Sequence, residues 1–355
     1  MRRAVVLLIG TALCAMPLAG PAATAFAQTA YKAPRNGLGQ PDLSGYWSNA
    51  SLTPEAKPAA LGERSTYTPA EVAKMEGAVV DEVAAGNQST DPNAPPPKAG
   101  GEAAAAGTRP EFAAAGGNVG GYNRGWLDPG AHVMRVDGQP RTSIITTKNG
   151  QAPARKASAP SAAGGGGATP GTPFDDPERR SLGERCLLSF GRNAGPPMLA
   201  NGFYNNNYQI IQAKDHVAIV VEMVHDTRIV PLNAKHRTDG VRPWLGDSIG
   251  WWDGETLVVE TTNFPRAMAY RGSWEKLKVT ERFTRKGKDR LYYAFTVEDP
   301  DVWDTAWGGE YEFSPLEGRV MEYACHEGNY ALEGILAGAR EGERMAGAAG
   351  NRAAR

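Results

Sequence analysis

Apolar and polar residues alternate in short runs through the second half of the chain, and polar turns separate these runs. An alternation of period two places the apolar side chains on one face of a β-strand. The separating turns include Lys214–Asp215, Asp253–Gly254 and 286–289, and Asp-Gly is among the strongest hairpin signals. The pattern therefore predicts strands at 208–212, 217–223, 251–252, 257–260, 277–284, 291–298, 310–313 and 319–325.

Short strands at this spacing, with no long helical pattern between them, are typical of an antiparallel meander. We expect a mainly β protein whose antiparallel domain covers 174–335. About eight strands would suit a small closed barrel, which has no free edges and leaves room for one small ligand. A sandwich of two sheets fits the same pattern, so both architectures stay open.

The N-terminal part contains a clear helix signal. Thr68 can cap a helix, Pro69 fits its first position and Glu71 completes a capping box. Gly86 ends the apolar stripe that follows. We therefore expect one short helix within an N-terminal segment at 28–84.

Three stretches are too rich in Ala, Gly and Pro to bury much apolar surface, which favours flexible, disordered backbone. They are a linker at 85–119, an insert at 152–173 and a C-terminal tail at 336–355. Between the linker and the insert, the turn Asp137–Gly138 predicts a β-hairpin region at 120–151 that joins the core.

The first residues have the order of a secretory signal peptide. Arg2 and Arg3 precede an apolar run, and Ala25-Phe26-Ala27 is a small-x-small cleavage site. The run is too short for a transmembrane helix, and no later stretch is apolar enough to span a bilayer. We expect residues 1–27 to be cut off after Ala27, which makes the mature chain periplasmic or secreted and leaves it without a transmembrane segment.

Cleavage would leave two cysteines, Cys186 and Cys325. An even pair in an oxidising compartment predicts a disulfide. The bond would close a loop of 139 positions, and chain-entropy models credit such a loop with about 4–5 kcal/mol. Two buried free thiols are the alternative.

Composition narrows the classes of partner. The chain carries 38 Lys and Arg residues against 39 Asp and Glu residues, a net charge of −1. This balance does not indicate a strongly basic surface, so we expect no nucleic-acid partner. No phosphate-binding loop or dinucleotide fingerprint occurs in a strand–turn–helix setting, and no G-x-S-x-G elbow is present. We expect a small-molecule ligand and no cofactor, and the sequence leaves the oligomeric state open.

One acid interrupts the apolar face of a predicted strand. Glu281 shares that face with Leu277, Val279 and Phe283. A buried carboxylate must be paired, protonated or functional. An ion pair with an Arg of a neighbouring strand is the structural alternative to a catalytic acid.

Histidines follow the ends of predicted strands, where small barrels place polar groups. His225 shares the period-two face of 217–223, and His326 follows the strand that ends at Cys325. Imidazole suits proton transfer near neutral pH. We expect His225 or His326 to act as the catalytic base and Glu281 as a second acid.

Further polar and aromatic residues near the same turns are candidates for substrate binding. Arg228 would anchor an anionic group of the substrate, beside His236, Asp247 and Trp252. More commonly, aromatic side chains of this kind serve core and rim packing, and Asp247 would cap a turn.

A metal site is the less favoured hypothesis. The sequence has no H-x-H or H-E-x-x-H spacing, so we expect no metal. The alternative ligand set would be His225, His236 and His326 with Asp226 or Glu327.

Several long motifs lie within 120–335: Arg185–Leu187, Ala194–Met198, Tyr204–Tyr208, Gly246–Ser248 (GDS), Trp252–Phe264 (WDGETLVVETTNF) and Glu322–Asn329 (EYACHEGN). Together they resemble a large family of secreted hypothetical proteins of soil and aquatic bacteria. That resemblance implies export but no family-wide activity. Gly45-Tyr46-Trp47 resembles the G-x-W start of lipocalin-type barrels, which implies a barrel-like, calycin-like fold.

Polar groups at strand ends beside an apolar, aromatic interior favour an exported enzyme. It would act on a small sugar-derived or aromatic molecule by acid/base lysis, isomerisation or hydrolysis in a barrel pocket. The alternative is a non-catalytic periplasmic protein that binds a small molecule in the same cavity. A third hypothesis, an envelope protein tethered by its Ala/Gly segments, predicts no well-formed pocket.

Overall fold

The computed structural model describes residues 31–86, 128, 130–159, 172–189, 191–200 and 204–353. All of these belong to one unit of the chain, Tyr31–Arg355. Three predicted segments lie wholly or largely outside the described residues: the signal peptide at 1–27, most of the linker at 85–119 and the centre of the insert at 152–173.

Nine strands form one sheet, and two short strands form a separate hairpin. The hairpin consists of β2 (Arg135–Val136) and β3 (Gln139–Pro140). The sheet contains β1 (Gly45–Ser48), β4 (Asn207–Gln212), β5 (His216–Val221), β6 (Thr227–Pro231), β7 (Asp247–Asp253), β8 (Thr256–Thr262), β9 (Lys278–Gly287), β10 (Arg290–Glu298) and β11 (Trp307–Pro315). Its order is β6-β5-β4-β1-β11-β10-β9-β8-β7, and all neighbours pair antiparallel. The prediction of a mainly β, antiparallel fold is confirmed.

The strand nearest the N-terminus lies in the middle of this sheet. In β1, Trp47 is the register partner of Tyr208 in β4 and of Pro315 in β11. Residues 319–325, predicted as a strand, are not in a strand. The edge of β11 on which they would pair is already occupied by β1. The G-x-W triplet therefore joins the two parts of the meander.

The two end strands of the sheet, β6 and β7, approach each other without forming a ladder. One isolated parallel bridge joins Leu232, just after β6, to Gly250 in β7. The N–H of Asn233 donates to the carbonyl of Gly250 at 2.7 Å. The sheet is thus not closed by continuous pairing, and the predicted closed barrel is not confirmed.

Aromatic side chains fill the inner face of the sheet. Tyr208, Tyr293 and Tyr311 are fully or almost fully buried, and the rings of Tyr293 and Tyr311 lie 4.8 Å apart. The buried segment 193–199 packs against them through its backbone. The Met198 N–H donates to the hydroxyl of Tyr293, and the hydroxyl of Tyr311 donates to the Met198 carbonyl, both at 2.9 Å. These side chains occupy the space in which a barrel would hold its ligand.

The described residues form two α-helices in addition to the sheet. The first, α1 (Pro69–Gly86), has the expected capping box, because the Thr68 N–H donates to Glu71 Oε2 at 2.8 Å and the Glu71 N–H donates to Thr68 Oγ1 at 3.3 Å. The second, α2 (Tyr330–Ala353), occupies most of the predicted flexible tail at 336–355. Its less exposed side chains recur at helical spacing, at Leu332, Ile335, Leu336 and Ala339, and the frequent Gly residues hide this pattern in the sequence.

The predicted disulfide between Cys186 and Cys325 is present, with the two Cα atoms 5.7 Å apart. The alternative of two free thiols is therefore wrong. Within the described ranges, neither helix is long and apolar enough to cross a membrane.

Candidate functional site

A cavity of about 570 Å³ opens beside β6 and is called the β6 cavity below. Three of the predicted site residues, His225, Arg228 and Asp247, line it together with Asp226. The volume falls within the range of small-molecule pockets, roughly 300–1,000 Å³. The structure thus gathers part of the predicted constellation around one concave surface.

Apolar and polar side chains both line the β6 cavity. Leu187, Ile229 and Trp244 line it and remain 39%, 54% and 48% exposed. Large apolar side chains left this open, rimmed by polar groups, are typical of ligand-binding surfaces. A ligand with an apolar or aromatic body would remove them from water.

A sharp reversal of the chain places His225 at this cavity. Val224 and His225 both have positive φ angles, 56° and 45°. The left-handed conformation is strained for a β-branched residue, and such strain clusters at functional sites. The reversal ends the period-two register of β5, so His225 is exposed instead of sharing the inward face of 217–223. That part of the prediction is corrected.

Asp226 is a functional candidate that the sequence analysis named only as a possible metal ligand. It is buried, and one carboxylate oxygen accepts the Ser189 N–H at 2.8 Å. In the described part of the chain, no Lys, Arg or His nitrogen lies within 4.0 Å of this carboxylate, and burial raises its pKa. The sequence signal was the period of two that begins just before β6, where the buried residues Asp226, Arg228 and Val230 alternate with exposed ones.

Arg228 and Glu281 form an ion pair in the core. Arg228 Nη1 and Nη2 donate to Glu281 Oε2 and Oε1 at 2.7 and 3.0 Å, and the two side chains are 1% and 0% exposed. The Tyr293 hydroxyl also donates to Oε1, at 2.8 Å. Burial opposes the charge of Arg228, but the charge and hydrogen bonds of Glu281 outweigh it and raise the pKa of Arg228. An ion pair was the structural alternative in the sequence analysis, but its arginine was expected on a neighbouring strand, whereas β6 and β9 are not neighbours in the sheet.

His236 does not line the cavity but contacts Asp247, which does. Its Nδ1 lies 2.9 Å from Asp247 Oδ2, and its Nε2 lies 3.2 Å from Glu260 Oε1. The N–H of Arg237 donates to the same oxygen of Asp247 at 2.8 Å. These contacts fix the orientation of Asp247 in the cavity wall, so His236 is a positioning residue rather than a lining one.

The remaining predicted residues lie elsewhere. Trp252 is half-buried against the main core, and its indole N–H has no hydrogen-bond partner among the described residues. His326 is exposed directly after the disulfide and is not part of the lining of the β6 cavity. The structure therefore does not bring His225, His326 and Glu281 together.

In the ranges that the structure covers, no group of three or more His, Cys, Asp or Glu residues has an arrangement that could hold a metal ion. The chain matches no protein-family profile, and no curated protein is significantly similar to it.

Proposed function

We propose that the protein is an exported enzyme that transfers protons on a small organic molecule bound in the β6 cavity. The observation that carries this proposal is that His225 and the buried Asp226 line one cavity together with exposed apolar side chains. A neutral imidazole can take up a proton near neutral pH. Burial raises the pKa of the Asp226 carboxyl, which favours the protonated form that can act as an acid.

In this reaction His225 acts as the base and Asp226 as the acid, and Leu187, Ile229 and Trp244 hold the body of the substrate. Lysis, isomerisation and hydrolysis of an aromatic or sugar-derived compound can each use such an acid–base pair. Glu281 neutralises Arg228 in the core, so Arg237 is the more accessible candidate for an anionic group of the substrate. Its side chain is 45% exposed, and its ion pair with Asp239 lies at the surface, where water weakens it.

The N-terminal signal pattern and the disulfide support export to an oxidising compartment. The approach of β6 and β7 at Leu232 and Gly250 supports a barrel-like scaffold.

The test begins with a library of aromatic and sugar-derived acids, scored for binding to the oxidised protein and then for conversion. For any compound that is converted, Asp226→Asn and His225→Gln should each lower kcat/KM by about 10²–10⁴-fold while binding persists. His216→Gln is the matched control, because His216 is half-exposed, pairs with Asp215 and does not line the cavity.

Conversion that survives both substitutions would contradict the assignment. Binding without conversion of any compound would favour the second candidate, a non-catalytic binding protein. The mutual neutralisation of Arg228 and Glu281 speaks for that candidate, because it removes Glu281, one of the predicted catalytic residues, from proton transfer.

A further inference from the structure

A second cavity, of about 970 Å³, lies between the disulfide and the start of α2 and is called the disulfide groove. Tyr204 and Tyr323 line it, as do Leu332 and Ile335 of α2. Cys186 belongs to the lining of both cavities. None of the residues proposed for proton transfer lines the groove, so its role is a separate question.

The charged side chains described in the groove lining are all acidic. Among the residues that the structure describes, five acidic side chains and no Lys, Arg or His line the groove. One of them, Glu184, is neutralised by Arg180 at 2.5 Å. For Glu222, Glu322 and Glu327, no basic nitrogen lies within 4.0 Å in the part of the chain that is described. The groove therefore carries a negative potential that favours a cation.

Glu222 is the decisive residue, because it is 4% exposed and still has no positive partner among the described residues. Its Oε1 accepts the Met321 N–H at 3.0 Å, and its Oε2 accepts from Asn207 Nδ2. Two neutral donors compensate a buried charge only in part. A buried carboxylate in a cavity wall, without a counter-charge, points to a cationic ligand.

Size and lining decide what kind of cation fits. The rings of Tyr204 and Tyr323 are stacked, with centroids 6.3 Å apart and planes at 15°. Aromatic rings attract ammonium groups, and Leu332 and Ile335 add apolar surface. A bare metal ion would fill little of about 970 Å³, and the described residues hold no metal-binding cluster.

We propose that the disulfide groove binds an organic ammonium ion, with the positive charge near Glu222 and the apolar body against the tyrosine pair and α2.

The probe is benzyltrimethylammonium, titrated into the full oxidised protein by calorimetry. We expect saturable binding of one equivalent that weakens as NaCl is added, because exposed parts of the interaction are screened. Glu222→Gln should weaken binding at least about tenfold, since it removes a buried charge contact. Glu317→Gln is the matched control, because Glu317 is exposed in the turn after β11 and does not line the groove.

Glu222→Gln is designed to keep the fold. Asn207 Oδ1 is buried without a partner among the described residues, so a flip of that amide lets Oδ1 accept from the new side-chain amide. An unchanged Tm checks this. Tyr323→Leu is the second variant, and it should weaken benzyltrimethylammonium more than tetramethylammonium, which has no aromatic body.

Three results would overturn the proposal: no saturable binding to the wild type, equal weakening by Glu222→Gln and Glu317→Gln, or equal affinity for benzyl alcohol, which lacks the charge. Each of these outcomes is independent of whether the β6 cavity converts a substrate.

Discussion

The guanidinium of Arg228 and the carboxylate of Glu281 are both shielded from water, so each depends on the other for charge compensation. Glu281→Gln leaves the guanidinium buried without a counter-charge. We expect it to lower the free energy of unfolding by about 3–5 kcal/mol in urea denaturation. Arg228→Met should cost a similar amount, and the double variant should cost less than the sum of the two.

Lys278→Met is the control for this cycle, because Lys278 lies on the same strand as Glu281 and pairs with Glu298 at the surface, at 2.8 Å. Exposed pairs contribute roughly 0–1 kcal/mol. If Glu281→Gln costs no more than Lys278→Met, the buried pair has little part in stability.

Asp226 should make stability depend on pH in an unusual direction for a carboxyl group. Burial raises its pKa above the ordinary value of 3.8, so the folded protein binds the proton more tightly than the unfolded chain. The contribution of Asp226 to the free energy of unfolding is therefore fully present at a pH below its ordinary pKa. It is lost as the pH rises through the raised pKa of the folded protein. The unfolding free energy of the wild type relative to Asp226→Asn should fall across this window.

Asp239→Asn gives the comparison of opposite sign. The Arg237 side chain donates to Asp239 and lowers its pKa, so that contribution is lost as pH falls. The reasoning about Asp226 fails if the difference in unfolding free energy from the wild type changes with pH in the same direction for both variants.

Among single residues, the sequence predicted positions within a strand better than positions beyond its end. Glu281 lies on the apolar face, as the alternation of β9 indicated. His225 does not, because the left-handed Val224 reverses the chain between β5 and β6. The partner of Glu281 could not be predicted from the sequence, because Arg228 lies 53 positions away and pairing over that distance leaves no local pattern.

At the scale of elements, the crossing of β6 and β7 depends on a residue without a side chain. A Cβ at Gly250 would lie 2.8 Å from Val230 Cγ1 and 3.3 Å from Leu232 Cδ2. Gly250→Ala should therefore cost about 1–3 kcal/mol through strain, measured by thermal and urea unfolding. Gly287→Ala, in β9, is the control, because its nearest contact would be an ordinary 3.4 Å. Equal stability of the two variants would contradict the steric argument.

The disulfide should hold α2 in place without being needed by the sheet. No residue of α2 whose exposure is described is buried, and just before the helix Asn329 Nδ2 donates to the Glu184 carbonyl at 3.0 Å. In a Cys186→Ser/Cys325→Ser variant, amide hydrogen exchange in α2 should rise at least about tenfold while β9 and β10 stay protected. Protection of α2 that survives the double substitution would show that other contacts anchor the helix.

Hairpins were predictable because their turns are local. Asp253–Gly254 and 286–289 join neighbouring strands of the sheet, as their composition indicated. The position of β1 was not predictable, because its two neighbours lie more than 150 positions away along the chain. The strand expected at 319–325 failed for the same reason, since the competing strand came from the far end of the sequence.

For the whole molecule, Trp47 is the side chain that secures β1 in the sheet. It is 3% exposed, and its indole N–H donates to the Leu43 carbonyl at 3.1 Å. Trp47→Ala should cost about 3–5 kcal/mol and promote aggregation, because loosening β1 exposes the edges of β4 and β11. Trp244→Ala, at a site that is 48% exposed, should leave the unfolding midpoint nearly unchanged. If both variants lost a similar amount of stability, Trp47 would not be the side chain that secures β1 in the sheet.

The place of β1 also sets an order in time. Ribosomes synthesise a chain from its N-terminus, so β1 is made first. Its position between β4 and β11 exists only when both of those strands are present. Its final partner, Pro315, is made 268 positions after Trp47. The earliest strand has no partner until β4 is synthesised, and its other edge stays open until β11 is made at the end of the sheet. Any factor that protects a nascent chain would act first on the residues around Trp47.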